Sequence, residues 1–90
     1  MIRIYTVTRH TFANAKKVDL IESDTRIYTT EEAATKAAEM EWAHLTKTEK
    51  SKNSMYIGYA DIPEDIAEDE DEVLEYITAN GENVIREVDA

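Results

Sequence analysis

TTEEAATKAAEMEWAHLTKT, residues 29–48, holds strong helix formers almost throughout and neither Gly nor Pro. Thr29 and Glu32 have the spacing of a capping box, in which each side chain satisfies the other residue's free backbone N–H. Two glutamates in the first turn suit the helix dipole. The pattern predicts a helix from Thr30 to about Thr48. Ala34, Ala37, Ala38, Glu41, Trp42 and Leu45 fall on one broad face; the alanines allow close approach to a sheet, and Trp42 and Leu45 supply most of the buried area.

The sequence before this helix reads as strands. Ile2 to Arg9 is β-branched and aromatic, with Ile2 and Ile4 on one face and Tyr5 and Val7 on the other. Thr11 to Lys17 is polar and reads as a hairpin loop with Asn14 as a turn residue. Val18 to Glu22 is extended, Ser23-Asp24 interrupts, and Arg26-Ile27-Tyr28 resumes, either as one bulged strand or as two short ones.

The sequence after it starts with TKTEKSKNS, Thr46 to Ser54, which reads as a helix end and loop. MYIGYA, Met55 to Ala60, is a third strand whose Gly58 marks a bulge or a close backbone approach. Ile62-Pro63-Glu64-Asp65 suits a helix start. Val73, Leu74, Tyr76 and Ile77 define a second amphipathic helix from about Glu70 to Asn80, which Gly81 stops. NVIREV, Asn83 to Val88, is the last strand. The order β-β-α-β-α-β predicts a small α+β sandwich over residues 1–90, a mostly antiparallel sheet with both helices on one face.

Ninety residues make one domain with a thin core. No cysteine is present, so neither a disulfide nor a thiolate metal site is available. No signal segment is visible, and no run approaches the ~20 apolar residues of a membrane span. The expectation is a soluble, cytoplasmic protein.

Candidate catalytic residues are few. His10 falls at a strand end and His44 on the first helix, and no motif pairs either with a serine and an orienting acid. Glu41 is out of place on an apolar stripe. It either overhangs the sheet into water, pairs with an Arg or Tyr such as Arg3 or Tyr5, or acts as an acid with a raised pKa. The acidic stretch has the oxygens of an EF-hand loop but not its glycine. No Gly-rich phosphate loop exists. The reading is of a protein that is not an enzyme, with no cofactor and no metal.

The formal net charge is −10, and it is unevenly spread. Residues 1–60 carry nine Lys/Arg against eight Asp/Glu; residues 61–90 carry one against twelve. DIPEDIAEDEDEVLE, Asp61 to Glu75, has nine carboxylates in fifteen residues. Acids at a helix N-terminus contribute roughly 0.3–1 kcal/mol each, which explains two or three of them. The remainder repel one another and call for solubility or a partner as their reason. Direct binding to nucleic acid or an anionic membrane is disfavoured. The preferred expectation is a basic protein partner, such as a nuclease or other nucleic-acid-binding protein. Glu64, Asp65, Glu68, Asp69, Glu70, Asp71, Glu72 and Glu75 would contact it, presenting carboxylates where that partner expects phosphates.

In length, one-domain α+β build, charge and lack of cysteine the chain resembles the small acidic inhibitors encoded by phages and plasmids, including anti-CRISPR and anti-restriction proteins. The resemblance covers the whole chain and rests on no motif, so it assigns no residue. It implies a stoichiometric protein–protein inhibitor without catalysis. The competing expectation is an accessory or structural protein, a homodimer through an edge strand or a subunit, whose acidic stretch only solubilises it. Tyr5, Tyr28, Tyr56, Tyr59 and Tyr76 read as rim residues of the core. Any of these rings left uncovered on the sheet would mark a contact surface.

Overall fold

A computed structural model describes residues 1–88. Strands β1 (Ile2–Phe12), β2 (Leu20–Tyr28), β3 (Asn53–Ile62) and β4 (Asn83–Val88) form one antiparallel sheet in the order β2-β1-β3-β4. Helix α1 (Glu31–His44) and the short α2 (Lys47–Lys52) lie between β2 and β3; a 3-10 turn (Glu64–Ile66) and helix α3 (Glu70–Asn80) lie between β3 and β4. The α+β class and the strand–helix order match the sequence expectation.

The helices do not share a face, and here the expectation is corrected. β1 and β3 pair in unbroken register, with Ile4 opposite Ala60 and Val7 opposite Ile57. Val7 and Ile57 point to one face, where they pack with Met55, Val88 and the Ala34, Ala38 and Trp42 stripe of α1. Ile4, Ala60 and Ile62 point to the other, where they pack with Val73 and Ile77 of α3. Successive strand residues alternate sides, and both central strands carry buried apolar residues at odd and even positions. Helices on one side only would leave one set in water.

Several local readings also change. The first N-cap is Thr30, whose Oγ1 accepts from the Ala33 N–H at 3.1 Å; Thr29 and Glu32 form no box. The long helix ends at His44, because Thr46 and Glu49 form a full capping box and open α2 in the stretch read as loop. β2 is a single strand through Ser23-Asp24, with its irregularity at the hairpin base, where Phe12 pairs with Leu20. Asn14 is the turn residue: its Oδ1 accepts from the Lys16 N–H at 3.1 Å. The β3–β4 register shifts between Ile57 and Gly58, which is the bulge the glycine signalled.

Candidate interaction surface

The acidic stretch is an ordered structure built outward from buried anchors. Ile62 is fully buried at the end of β3, and Ile66, Ala67 and Tyr76 pack against the same core as Val73 and Ile77. These apolar residues pin the 3-10 turn and α3 to the sheet and leave the acids outside. Glu64 and Asp65 stand on the turn, Glu68 and Asp69 on the link, and Glu70, Asp71, Glu72 and Glu75 on α3. All eight are exposed. The structure thus brings all eight predicted residues together on the segment that includes the α3 N-terminal half.

The carboxylates are not equivalent. Asp69 is the N-cap of α3, and its Oδ1 accepts from the backbone N–H groups of Asp71 at 3.1 Å and Glu72 at 3.3 Å. Asp61 is held by Arg3 through two bonds of 2.9 and 3.1 Å, and the same guanidinium lies 4.1 Å from the Tyr59 ring centre. The bond from Arg3 holds the Asp61 carboxyl below its ordinary value, and Asp61 raises Arg3 in turn. Among the described residues none of the eight candidate acids forms an ion pair, whereas Asp24, Glu39, Glu41 and Asp61 all do.

Five of the chain's six lysines lie at the far end of the sheet, and the sixth, Lys36, is on α1. Thr11 pairs with Asn53, so the β1–β2 hairpin and α2 share one end of the sheet, and Ile2 pairs with Ile62, so the acidic stretch begins at the other. Lys16 and Lys17 sit on the hairpin, and Lys47, Lys50 and Lys52 on α2. The molecule measures 41 Å along its longest axis. Its charge is therefore polarised; at the acidic end Arg3 and the Met1 ammonium act on Asp61, and none of the eight candidate acids forms an ion pair among the described residues.

Glu41 is explained by a pairing the sequence did not identify. It accepts from Arg9 at 3.2 Å and from Arg26, both half-buried, rather than from Arg3 or Tyr5. Arg9 also donates to Asn53 Oδ1 at 2.9 Å, and Asn53 Nδ2 donates to the Glu49 carbonyl at 2.7 Å, tying α1, α2 and two strands into one network. A polar pocket of about 340 Å³ opens between Arg9, Thr11, Glu22, Asp24, Arg26 and Glu41. Its two guanidiniums are already bonded to Glu41, so it offers no free cation for an anionic ligand.

His44 bonds the Met40 carbonyl through Nδ1 at 2.7 Å on exposed helix surface. His10 stands on the sheet between Phe12 and Tyr56. Among the described residues no three His, Asp or Glu side chains are grouped to hold a metal ion. No described helix is long and apolar enough to cross a membrane. Comparison with protein-family models, with curated proteins and with solved structures finds no match to the chain.

Proposed function

We propose that the protein is a small acidic binding module that docks on a basic protein through Glu64, Asp65, Glu68, Asp69, Glu70, Asp71, Glu72 and Glu75. One observation carries the reading. These eight carboxylates are gathered on one exposed segment and form no ion pair among the described residues, while five of the chain's six lysines sit on the hairpin and α2 at the opposite end of the sheet. Solubility alone needs charge, but not charge concentrated on a fixed segment.

A partner of this chemistry has a Lys/Arg groove, and a nucleic-acid-handling protein is the commonest owner of one. The module would occupy that groove and exclude nucleic acid by competition. Long-range attraction would speed association and make it sensitive to salt.

The test is capture from a nuclease-treated bacterial lysate, comparing wild type with the variant Asp69→Asn, Glu70→Gln, Asp71→Asn, Glu72→Gln. Asn remains a good N-cap, so the variant keeps α3. The expected result is a basic nucleic-acid-binding protein retained by wild type and lost with the variant. Capture of the same proteins by both would contradict the proposal.

A further inference from the structure

The second sheet face is only half covered. α3 lies over Ile4, Ala60 and Ile62 and stops at Asn80; just beyond it, Glu82 Oε1 accepts from the Thr8 hydroxyl at 2.7 Å. From His10 to the hairpin no described helix covers the face, whose aromatic residues are partly buried against one another. There His10 meets Phe12 edge-on at 6.2 Å between ring centres and Tyr56 at 5.6 Å. Leu20 stands beside Phe12 across the β1–β2 pair and is 54 % exposed. The residues flanking His10 on either side are Ser23 and Ser54. Among the described residues this aromatic patch has no formal charge at its centre, on a chain of which 33 % is charged. Aromatic enrichment and charge depletion mark the centre of a protein interface.

We propose that this open half is the contact surface of a homodimer, with two copies packed face to face and their strands reversed. Shape and charge both point to a second copy. α3 adds one layer, about 10 Å high, to one half of the face, and stacked sheets also lie about 10 Å apart. A two-fold axis across the strands therefore sets each open half on the other and brings each hairpin against the end of the other copy's α3. The hairpin carries Lys16 and Lys17. The last turn of α3 has no basic residue, so its negative pole is uncompensated. Glu87, opposite Tyr56 on β4, is exposed and has no ion pair among the described residues. The two-fold rotation places cations on this acidic rim twice, the self-complementarity that a symmetric interface requires.

The acidic stretch begins far from the patch. His10 is eight residues along β1 from Ile2, where the acidic stretch begins, a separation of about 27 Å at ~3.4 Å per residue. That is several times the ~8 Å screening length at physiological salt. The surface is separate from the acidic one, so the two proposals stand or fall independently.

Sedimentation equilibrium of the full chain over rising concentration tests it. The expected result is a monomer–dimer equilibrium with a Kd on the order of 10–100 µM, fitting an interface at the small end of the size range. Leu20→Glu, at an exposed position, should abolish the dimer while circular dichroism stays unchanged. Lys16→Glu with Lys17→Glu should weaken it at least about tenfold at low salt, and adding Glu87→Lys should restore part of the loss. The four-amide variant of the acidic stretch should dimerise like wild type. A chain that stays monomeric at millimolar concentration, or a dimer indifferent to Leu20→Glu, would overturn the proposal. So would saturable binding of a single-stranded oligonucleotide to the aromatic patch in place of dimerisation.

Discussion

A Cβ on Gly58 would lie 2.6 Å from the Asn83 carbonyl oxygen and 3.0 Å from Thr6 Oγ1, whereas one on Gly81 would meet nothing within 4 Å. Gly81 instead has φ 83° and ψ 173°, a backbone region that is nearly glycine-only. Alanine is therefore expected to destabilise both sites, by about 1–3 kcal/mol at Gly58 through overpacking and by about 1–3 kcal/mol at Gly81 through backbone strain. Denaturant midpoints measure both, and a neutral Gly58→Ala would mean that β4 does not approach β3 this closely. Asp61 gives a prediction in pH. Arg3 holds its folded pKa below the ordinary carboxylate value, so its contribution is present at neutral pH and is lost as pH falls through that lowered value. Asp61→Asn should lower the thermal midpoint slightly at pH 7, and the gap to wild type should close below about pH 4. A gap independent of pH would exclude the ion pair as its source. At this scale the sequence announced both glycines and marked Glu41 as anomalous. It did not reveal the partners of Glu41 and Asp61, because Arg9 is 32 residues from Glu41, Arg3 is 58 from Asp61, and only sheet pairing brings them near.

The helices differ in how far local signals fixed them. α3 runs from Glu70 to Asn80 as its apolar spacing and Gly81 predicted. α1 is shorter than predicted because the helix formers run on past a stop that is itself a start. Thr46-Lys47-Thr48-Glu49 is a capping-box pattern, and its box is complete: Thr46 Oγ1 accepts from the Glu49 N–H at 3.1 Å, and Glu49 Oε1 accepts from the Thr46 N–H at 2.9 Å. The bond from the Thr46 N–H also holds the Glu49 carboxyl below its ordinary value. Thr46→Ala should cost about 1 kcal/mol and lower amide-exchange protection in α2 before that of α1. Equal loss in both helices would mean that they behave as one unit. The placement of the helices on opposite faces was present in the sequence as well. Ile4 and Val7, or Ile57 and Ile62, are apolar residues of opposite parity on central strands, and such strands need cover on both sides.

Over the whole molecule the dominant feature is the separation of charge. The hairpin and α2 hold five lysines at one end, while the 3-10 turn, the link after it and the first half of α3 hold the eight candidate acids on the segment that leaves the other end. The concentration of acid was plain in the sequence. Its exposure and its separation from the lysines of the hairpin and α2 depend on strand register, and only the fold supplies those. Like charges at close spacing repel, so amides at Asp69, Glu70, Asp71 and Glu72 should leave the fold intact and raise its stability by up to about 1 kcal/mol at low salt. If these acids instead made hidden stabilising contacts, the variant would melt lower. The most direct measurement is the affinity of the captured partner for wild type and for this four-amide variant across a salt series. Wild-type affinity should fall steeply with salt, and the variant should bind more weakly, most of all at low salt, with a shallower slope. Equal affinity of the two proteins at every salt concentration would contradict docking through the acidic segment.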